Sequence, residues 1–216
     1  MNIVEPIIEE YMKGLLPPAD PVRAEMETLG AERRFPIIGP MVGNLCALLA
    51  GAIGARKVFE LGSGFGYSTL WFARAVGPSG LVIHTEGSAE NSKLARDFLA
   101  RAGLATRVRF EVGDAREILD REIARGDTPP FDVIFNDIDK DQYPDVLPRV
   151  RKALRVGGLL ISDNMIWSGR VASNPPHEAT TRGILDLTRQ LTRADDFVTT
   201  LIPIRDGVTV SLRVSG

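Results

Sequence analysis

Apolar residues near the start of the chain recur at three- and four-residue intervals. Ile3, Val4, Ile7, Ile8, Tyr11, Met12 and Leu15 fall on one face of a helix at that spacing. "PPADP" interrupts the pattern, and Asp20 followed by Pro21 predicts the start of a second short helix. Residues 1–38 therefore read as helices appended to a main domain. Packing against that domain is the simplest use of the apolar stripe. A contact between two copies of the chain is the sharper alternative.

From Gly39 the pattern alternates between helical and strand-like runs. "MVGNLCALLAGAIG" precedes the strand "KVFEL", "YSTLWFARAV" precedes "GLVIHTE", and "AENSKLARDFLARAG" precedes "RVRFEV". Ser88 is placed to cap the third of these helices and Gly103 to close it, while Leu94, Phe98, Leu99 and Ala102 share its apolar face. "REILDREIARG", "FDVIFND", "YPDVLPRVRKAL" and "GGLLISD" continue the alternation. Short apolar strands between helices predict a parallel sheet covered on both faces. After a helix near "ATTRGILDLTRQLTR" the rhythm breaks. Only "RDG" separates "FVTTLIPI" from "VTVSLRV", so the last two strands form an antiparallel hairpin. In its second strand Val208, Val210, Leu212 and Val214 alternate with Thr209, Ser211 and Arg213. The expected fold class is α/β, a seven-stranded, mostly parallel sheet with one antiparallel strand from this C-terminal hairpin and helices on both faces.

The totals narrow the setting. A chain of 216 residues suits one domain of roughly 100–200 residues with an extension. With 44% hydrophobic and 25% charged residues it has an ordinary globular balance. A net charge of −2 offers no broad basic field for nucleic acid or an anionic membrane. No run approaches the roughly 18 apolar residues of a membrane span. "MNIVEPIIEEYMKG" lacks the basic segment of a signal peptide, so the expected location is the cytoplasm. The one cysteine, Cys46, has no partner for an internal disulfide and reads as a small buried apolar residue.

"FELGSGFGYSTLWFA" carries the first chemistry. A strand meets a glycine cluster and then a helix, the arrangement of a loop that approaches a nucleotide-like ligand. The spacing is Gly62, Gly64, Gly66, whereas the dinucleotide fingerprint would put a third glycine where Tyr67 stands. Glu60 precedes the loop; its carboxylate would oppose a pyrophosphate and suit a cation. S-adenosylmethionine (SAM) carries an ammonium and a sulfonium and no phosphate. Glu86 ends the second strand, where an acid accepts hydrogen bonds from ribose hydroxyls. Asp114 follows the third strand, where a carboxylate could take an adenine amino group. Each acid alone could be a solvated loop residue or a helix cap. Three at successive strand ends, where open α/β sheets bind ligands, make a site.

"VFELGSGFGYSTLWFA", "FNDIDKDQY", "LRVGGLLISDNMIWSGRV" and "RDGVTVSL" together resemble the cation-dependent O-methyltransferases, which include caffeoyl-CoA and catechol O-methyltransferases and bacterial relatives. The likeness runs from about Ile38 to the C-terminus. It implies the Rossmann-like class I methyltransferase fold and a cofactor site of Glu60, Gly62, Ser63, Gly64, Ser68, Glu86, Asp114, Ala115 and Asp137. It implies a metal site of Asp137, Asp163 and Asn164, a catalytic pair of Lys140 and Asp137, and substrate contacts at Trp167, Ser168 and Asp206. A homodimer is implied as well. Where the family usually has D-A-D-K, this chain has D-I-D-K preceded by Asn136, and Ile38 stands where the family often offers a hydroxyl.

Two carboxylates and an amide oxygen are hard ligands, suited to Mg²⁺, with Ca²⁺ as the alternative. Zinc is disfavoured, because the only histidines, His84 and His177, lie in separate segments and no cysteine cluster exists. The expected reaction is methyl transfer from SAM to a hydroxyl of a catechol-like small molecule, free or CoA-linked. Lys140 is either the base or a surface partner of Asp137, Asp139 or Asp141. Trp167 is either an aromatic wall for a planar acceptor or core. Tyr67 and Trp71 are expected to serve packing. A NAD-dependent oxidoreductase and a SAM-binding protein without catalysis are the rival readings.

Overall fold

A computed structural model describes residues 4–126, 130–173 and 178–216. Ile3, His177 and part of the loop after Trp167 lie outside the described residues. The helices are α1 (Pro6–Gly14), α2 (Pro21–Arg33), α3 (Gly39–Ala52), α4 (Tyr67–Ala75), α5 (Ala89–Arg101), α6 (Ala115–Arg125), α7 (Val146–Ala153) and α8 (Ala179–Thr192). The strands are β1 (Lys57–Leu61), β2 (Leu81–Glu86), β3 (Val108–Val112), β4 (Phe131–Asn136), β5 (Leu154–Ser162), β6 (Phe197–Ile202) and β7 (Val208–Arg213).

The seven strands form one sheet in the order β3-β2-β1-β4-β5-β7-β6. All neighbours are parallel except where β7 meets β5 and β6. Alternate residues of each strand feed two cores, as a pleated strand requires. Val58, Val133 and Phe135 pack under the side of the sheet that holds α2 to α5. Phe59, Leu61 and Ile134 pack under the side that holds α6 to α8. The strand order reverses between β1 and β4, and a crevice opens there beyond the strands' carboxyl ends.

Local signals act where the sequence puts them. Asp20 caps α2, its Oδ1 accepting from the N–H groups of Val22 and Arg23 at 3.1 and 3.3 Å. Ser88 caps α5 by accepting from Asn91 N at 3.2 Å. Three expectations change. The helix expected over "YPDVLPRVRKAL" splits into a 3₁₀ segment, Lys140–Asp145, and α7, because Pro144 has no N–H to continue an α-helical ladder. In β7 polar residues are covered as well as apolar ones, Val208 being 0% exposed in the core on the other face. Thr209 and Ser211 are buried while Leu212 is exposed, because they face the side on which α8 packs against the hairpin, and Thr199 Oγ1 donates to Ser211 Oγ at 2.9 Å.

The third change concerns the N-terminus. α2 is no appendage. Val22 and Met26 enter the core. Buried Arg23 pairs with Glu27 at 3.3 Å, and Tyr67 donates to Glu27 at 2.7 Å. α1 does stand apart, burying none of its residues and leaving Ile7 78% exposed. Packing against the domain therefore does not account for its stripe. No described helix is long and apolar enough to cross a membrane.

Candidate active site

A cleft of about 610 Å³ lies over the carboxyl ends of β1 to β5, within the usual size of a small-molecule site. The ladders continue into it. Ser63 N donates to Thr85 O, Gly113 N to Glu86 O, Asp137 N to Leu61 O and Asp163 N to Asn136 O, all at 2.8–3.1 Å. Backbone pairing thus fixes each strand-end residue against its neighbour. The glycine loop is shaped by protein contacts. Gly62 has φ +81°, and a Cβ there would stand 2.6 Å from the carbonyl oxygen of Asp137. Gly62 therefore lets the loop press against the start of the acidic segment.

At the other end of the cleft two carboxyl groups crowd together. Asp163 is 1% exposed. Burial pushes its carboxyl up, the Asp137 charge pushes the same way, and Arg205 opposes both. Asp137 is raised by burial and opposed by Lys140. Lys140 Nζ donates to Asp137 Oδ1 at 2.6 Å and to Ile138 O at 3.1 Å. Arg205 Nη1 donates to Asp163 Oδ2 at 3.2 Å, while Asp163 Oδ1 is buried without a partner. Asn164 turns its amide nitrogen toward Asp206 Oδ2 at 3.4 Å. The Tyr143 hydroxyl lies 2.9 Å from Asp163 O and 3.3 Å from Asn136 O, bolting the two strand ends together. Asn164, Trp167, Ser168 and Arg205 all have φ between +51° and +57°. Left-handed backbone at residues other than glycine is uncommon, and it gathers at functional sites.

Among proteins of known sequence, residues 25–214 match the O-methyltransferase family model. This chain belongs to that family. It is 33% identical over 178 residues to a catechol O-methyltransferase of Niastella koreensis, covering 82% of this chain and 80% of the relative. It is 32% identical over 179 residues to caffeoyl-CoA O-methyltransferase 1 of Eucalyptus globulus, covering 80% and 73%. The O-methyltransferase TomG of Streptomyces achromogenes, solved in complex with SAM, superimposes with a TM-score of 0.88 at 30% identity, covering 97% of this chain and 96% of that one. The chain is therefore read as a SAM-dependent O-methyltransferase, and the oxidoreductase reading falls.

Within this O-methyltransferase, twelve of the residues singled out in the sequence border the cleft: Gly62, Ser63, Gly64, Ser68, Glu86, Asp114, Ala115, Asp137, Lys140, Asp163, Asn164 and Trp167. Three other expected residues do not line it. Glu60 is 0% exposed behind the loop, accepting hydrogen bonds from Ser63, Ser68 and Thr69. Burial pushes its carboxyl up to about 7 against those bonds. Asp206 ties Asn164 to the backbone N–H of Ser168, and neither Asp206 nor Ser168 is part of the wall. Asp114 does line the cleft, but Arg116 holds its carboxylate, through the side chain first and the backbone second, and lowers it to about 2. Glu86 Oε1 accepts from Ser88 N and Asn91 Nδ2.

Sequence reasoning missed two walls. Phe35, Pro36 and Ile37 border the cleft from the N-terminal side, and a Cβ at Gly64 would meet the Phe35 ring at 2.8 Å. The family match beginning inside α2 agrees with that placement. Arg205 was the other. In "RDG" Asp206 was expected as a substrate contact and Arg205 was read only as part of the turn, yet a bulky residue where a tight hairpin favours glycine was a usable signal. Asn136, the departure from the usual pattern, is buried and donates to Ser162 Oγ at 3.4 Å. Tyr67 and Trp71 are buried as packing residues, and Tyr67 also borders the cleft.

Proposed function

We propose that this O-methyltransferase methylates a hydroxyl of a catechol-like phenolic molecule, free or CoA-linked, and that it does so with a divalent cation, Mg²⁺ before Ca²⁺. The observation that carries the proposal is the meeting of Asp137, Asp163 and Asn164 on neighbouring strand ends beside the glycine loop. The donor set fits a hard cation. Two carboxyl groups at close quarters oppose each other's ionisation, and a buried oxygen of Asp163 has no partner. Among the described residues no cluster of three or more His, Cys, Asp and Glu side chains offers a competing site. A bound cation would fix vicinal hydroxyl oxygens and lower the pKa of the one that reacts.

The chain's own residues supply the rest. Glu86 is placed for ribose hydroxyls at the end of β2. Ser63, Gly64 and Ser68 border the end of the cleft where the methionine arm of SAM, which carries the electrophilic methyl, would lie. Trp167 and Ile138 give the acceptor apolar walls. Holding nucleophile and methyl aligned can lower a barrier by roughly 7–11 kcal/mol at best. Lys140, 7% exposed beside Asp137, is the residue placed to take the acceptor's proton. The working form proposed is a cytoplasmic homodimer joined through the exposed face of α1.

The test is methyl transfer from labelled SAM to a panel of free and CoA-linked catechols, with magnesium and then with EDTA. Product that disappears with EDTA is expected. Product that persists with EDTA would remove the cation from the reaction. SAM binding without product on any catechol would favour a different acceptor or a protein that binds and does not catalyse.

A further inference from the structure

Behind the glycine loop runs a string of polar side chains that does not reach the cleft. Glu60, Thr69 and His84 are each 0% exposed. Thr69 Oγ1 lies 2.5 Å from Glu60 Oε2 and 3.0 Å from His84 Nδ1. A hydroxyl has one proton and donates in one direction. If Thr69 donates to the Glu60 carboxylate, it must accept from the imidazole, and His84 then carries its proton on Nδ1. If Thr69 donates to Nδ1 instead, the imidazole proton moves to Nε2. That atom is buried and has no partner in either case, so the charge of Glu60 decides the direction. With Glu60 ionised, as a cation beside it would favour, the string runs from His84 through Thr69 to the carboxylate. His84 stays neutral in this string, because burial, and then the charge of Arg96, push it down to about 3.

We propose that Thr69 and His84 are positioning residues that aim the Glu60 carboxylate at the ammonium end of the cofactor from behind the loop. The proposal rests on the reading that SAM occupies the cleft. Glu60 bonds only to hydroxyls among the described residues, those of Ser63, Ser68 and Thr69, and its Oε1 is buried without a partner. No Lys or Arg of the chain pairs with it among those residues. A buried carboxylate left without a cation is unstable as an anion. Ser63 and Ser68 reach both Glu60 and the cleft, so the carboxylate stands one side chain behind the wall. The ammonium of the bound cofactor is the cation this arrangement awaits.

Calorimetric titration with S-adenosylhomocysteine, and with adenosine as the probe without the ammonium-bearing arm, tests this. Thr69→Val should weaken S-adenosylhomocysteine by about tenfold or more, the loss of a hydrogen bond to a charged group, and leave adenosine within about twofold. Thr69→Ser should restore the wild-type value. His84→Leu should behave like Thr69→Val, whereas His84→Asn, which keeps an N–H near the Nδ1 position, should retain affinity. Unfolding midpoints identify the folded variants, and His84→Leu carries the comparison if Thr69→Val does not fold. Equal losses for both ligands, or no loss for either, would overturn the proposal. If the wild-type protein binds neither ligand, the cofactor reading of the cleft fails and the string's role falls with it.

Discussion

Asp163 and Glu86 stand at the two ends of one cleft, and their replacement should separate two functions. Asp163→Ala removes a carboxylate whose nearest cation is Arg205 at 3.2 Å. Turnover in magnesium should be lost while S-adenosylhomocysteine still binds within a few-fold of wild type. Glu86→Ala should weaken cofactor binding by about tenfold or more with or without magnesium, as for lost hydrogen bonds to a charged group. Calorimetry and labelled methyl transfer on both variants check this; full turnover in both would overturn the site. These residues were legible because each ends an apolar run, so its place at a strand's carboxyl end follows from local pattern. Glu60 was legible as part of the loop but not as a buried group, since burial depends on what α4 and β2 bring from elsewhere. Arg205 was legible as an odd residue in its turn but not as the partner of Asp163, which lies 42 residues away and meets it only through the pairing of β5 with β7.

Among the described residues α1 is the one α-helix with no buried residue, and its apolar face is left for a partner. Removing residues 1–18 is expected to convert the proposed homodimer into a monomer, read as solution mass by light scattering. It should leave the fold intact, because α1 contributes nothing to either core. An unchanged mass would move the contact elsewhere. α2 shows the opposite case. Its start at Asp20 was legible from a cap and a proline, but its role was not. Arg23, Glu27 and the segment from Phe35 become wall and core only against α4. Pro144 made the 3₁₀ turn before α7 predictable in principle, and the helical periodicity of "YPDVLPRVRKAL" concealed it. The alternation in β7 did not tell which face would be covered, because Val208 meets the core on one side and Thr209 and Ser211 are buried on the side of α8.

Stability should carry the signature of the buried acids. Folding raises Glu60 from 4.5 to about 7 and raises Asp137 and Asp163 above 3.8. Over that window the folded chain holds more protons than the unfolded one, so stability falls as pH rises. His84 opposes this. Neutral in the fold down to about 3 and protonated in the unfolded chain below 6.5, it adds stability as pH rises to 6.5. Three carboxyls outweigh one imidazole, so the urea midpoint of the ligand-free protein is expected to be lower at about pH 7.5 than at about pH 5. Magnesium should recover more of it at the higher pH. A ligand-free midpoint that climbs across that range would overturn the reading that folding raises these three carboxyls. From the sequence come the strand and helix alternation, the reversed last strand, the glycine loop and the acids at strand ends, because periodicity, caps and turns act over a few residues. From the tertiary structure come the placement of Glu60 behind the loop, the Arg205–Asp163 pair and the Phe35 wall. Those depend on burial and on contacts between segments far apart in the chain, which hydrophobic pattern leaves open until the sheet is assembled.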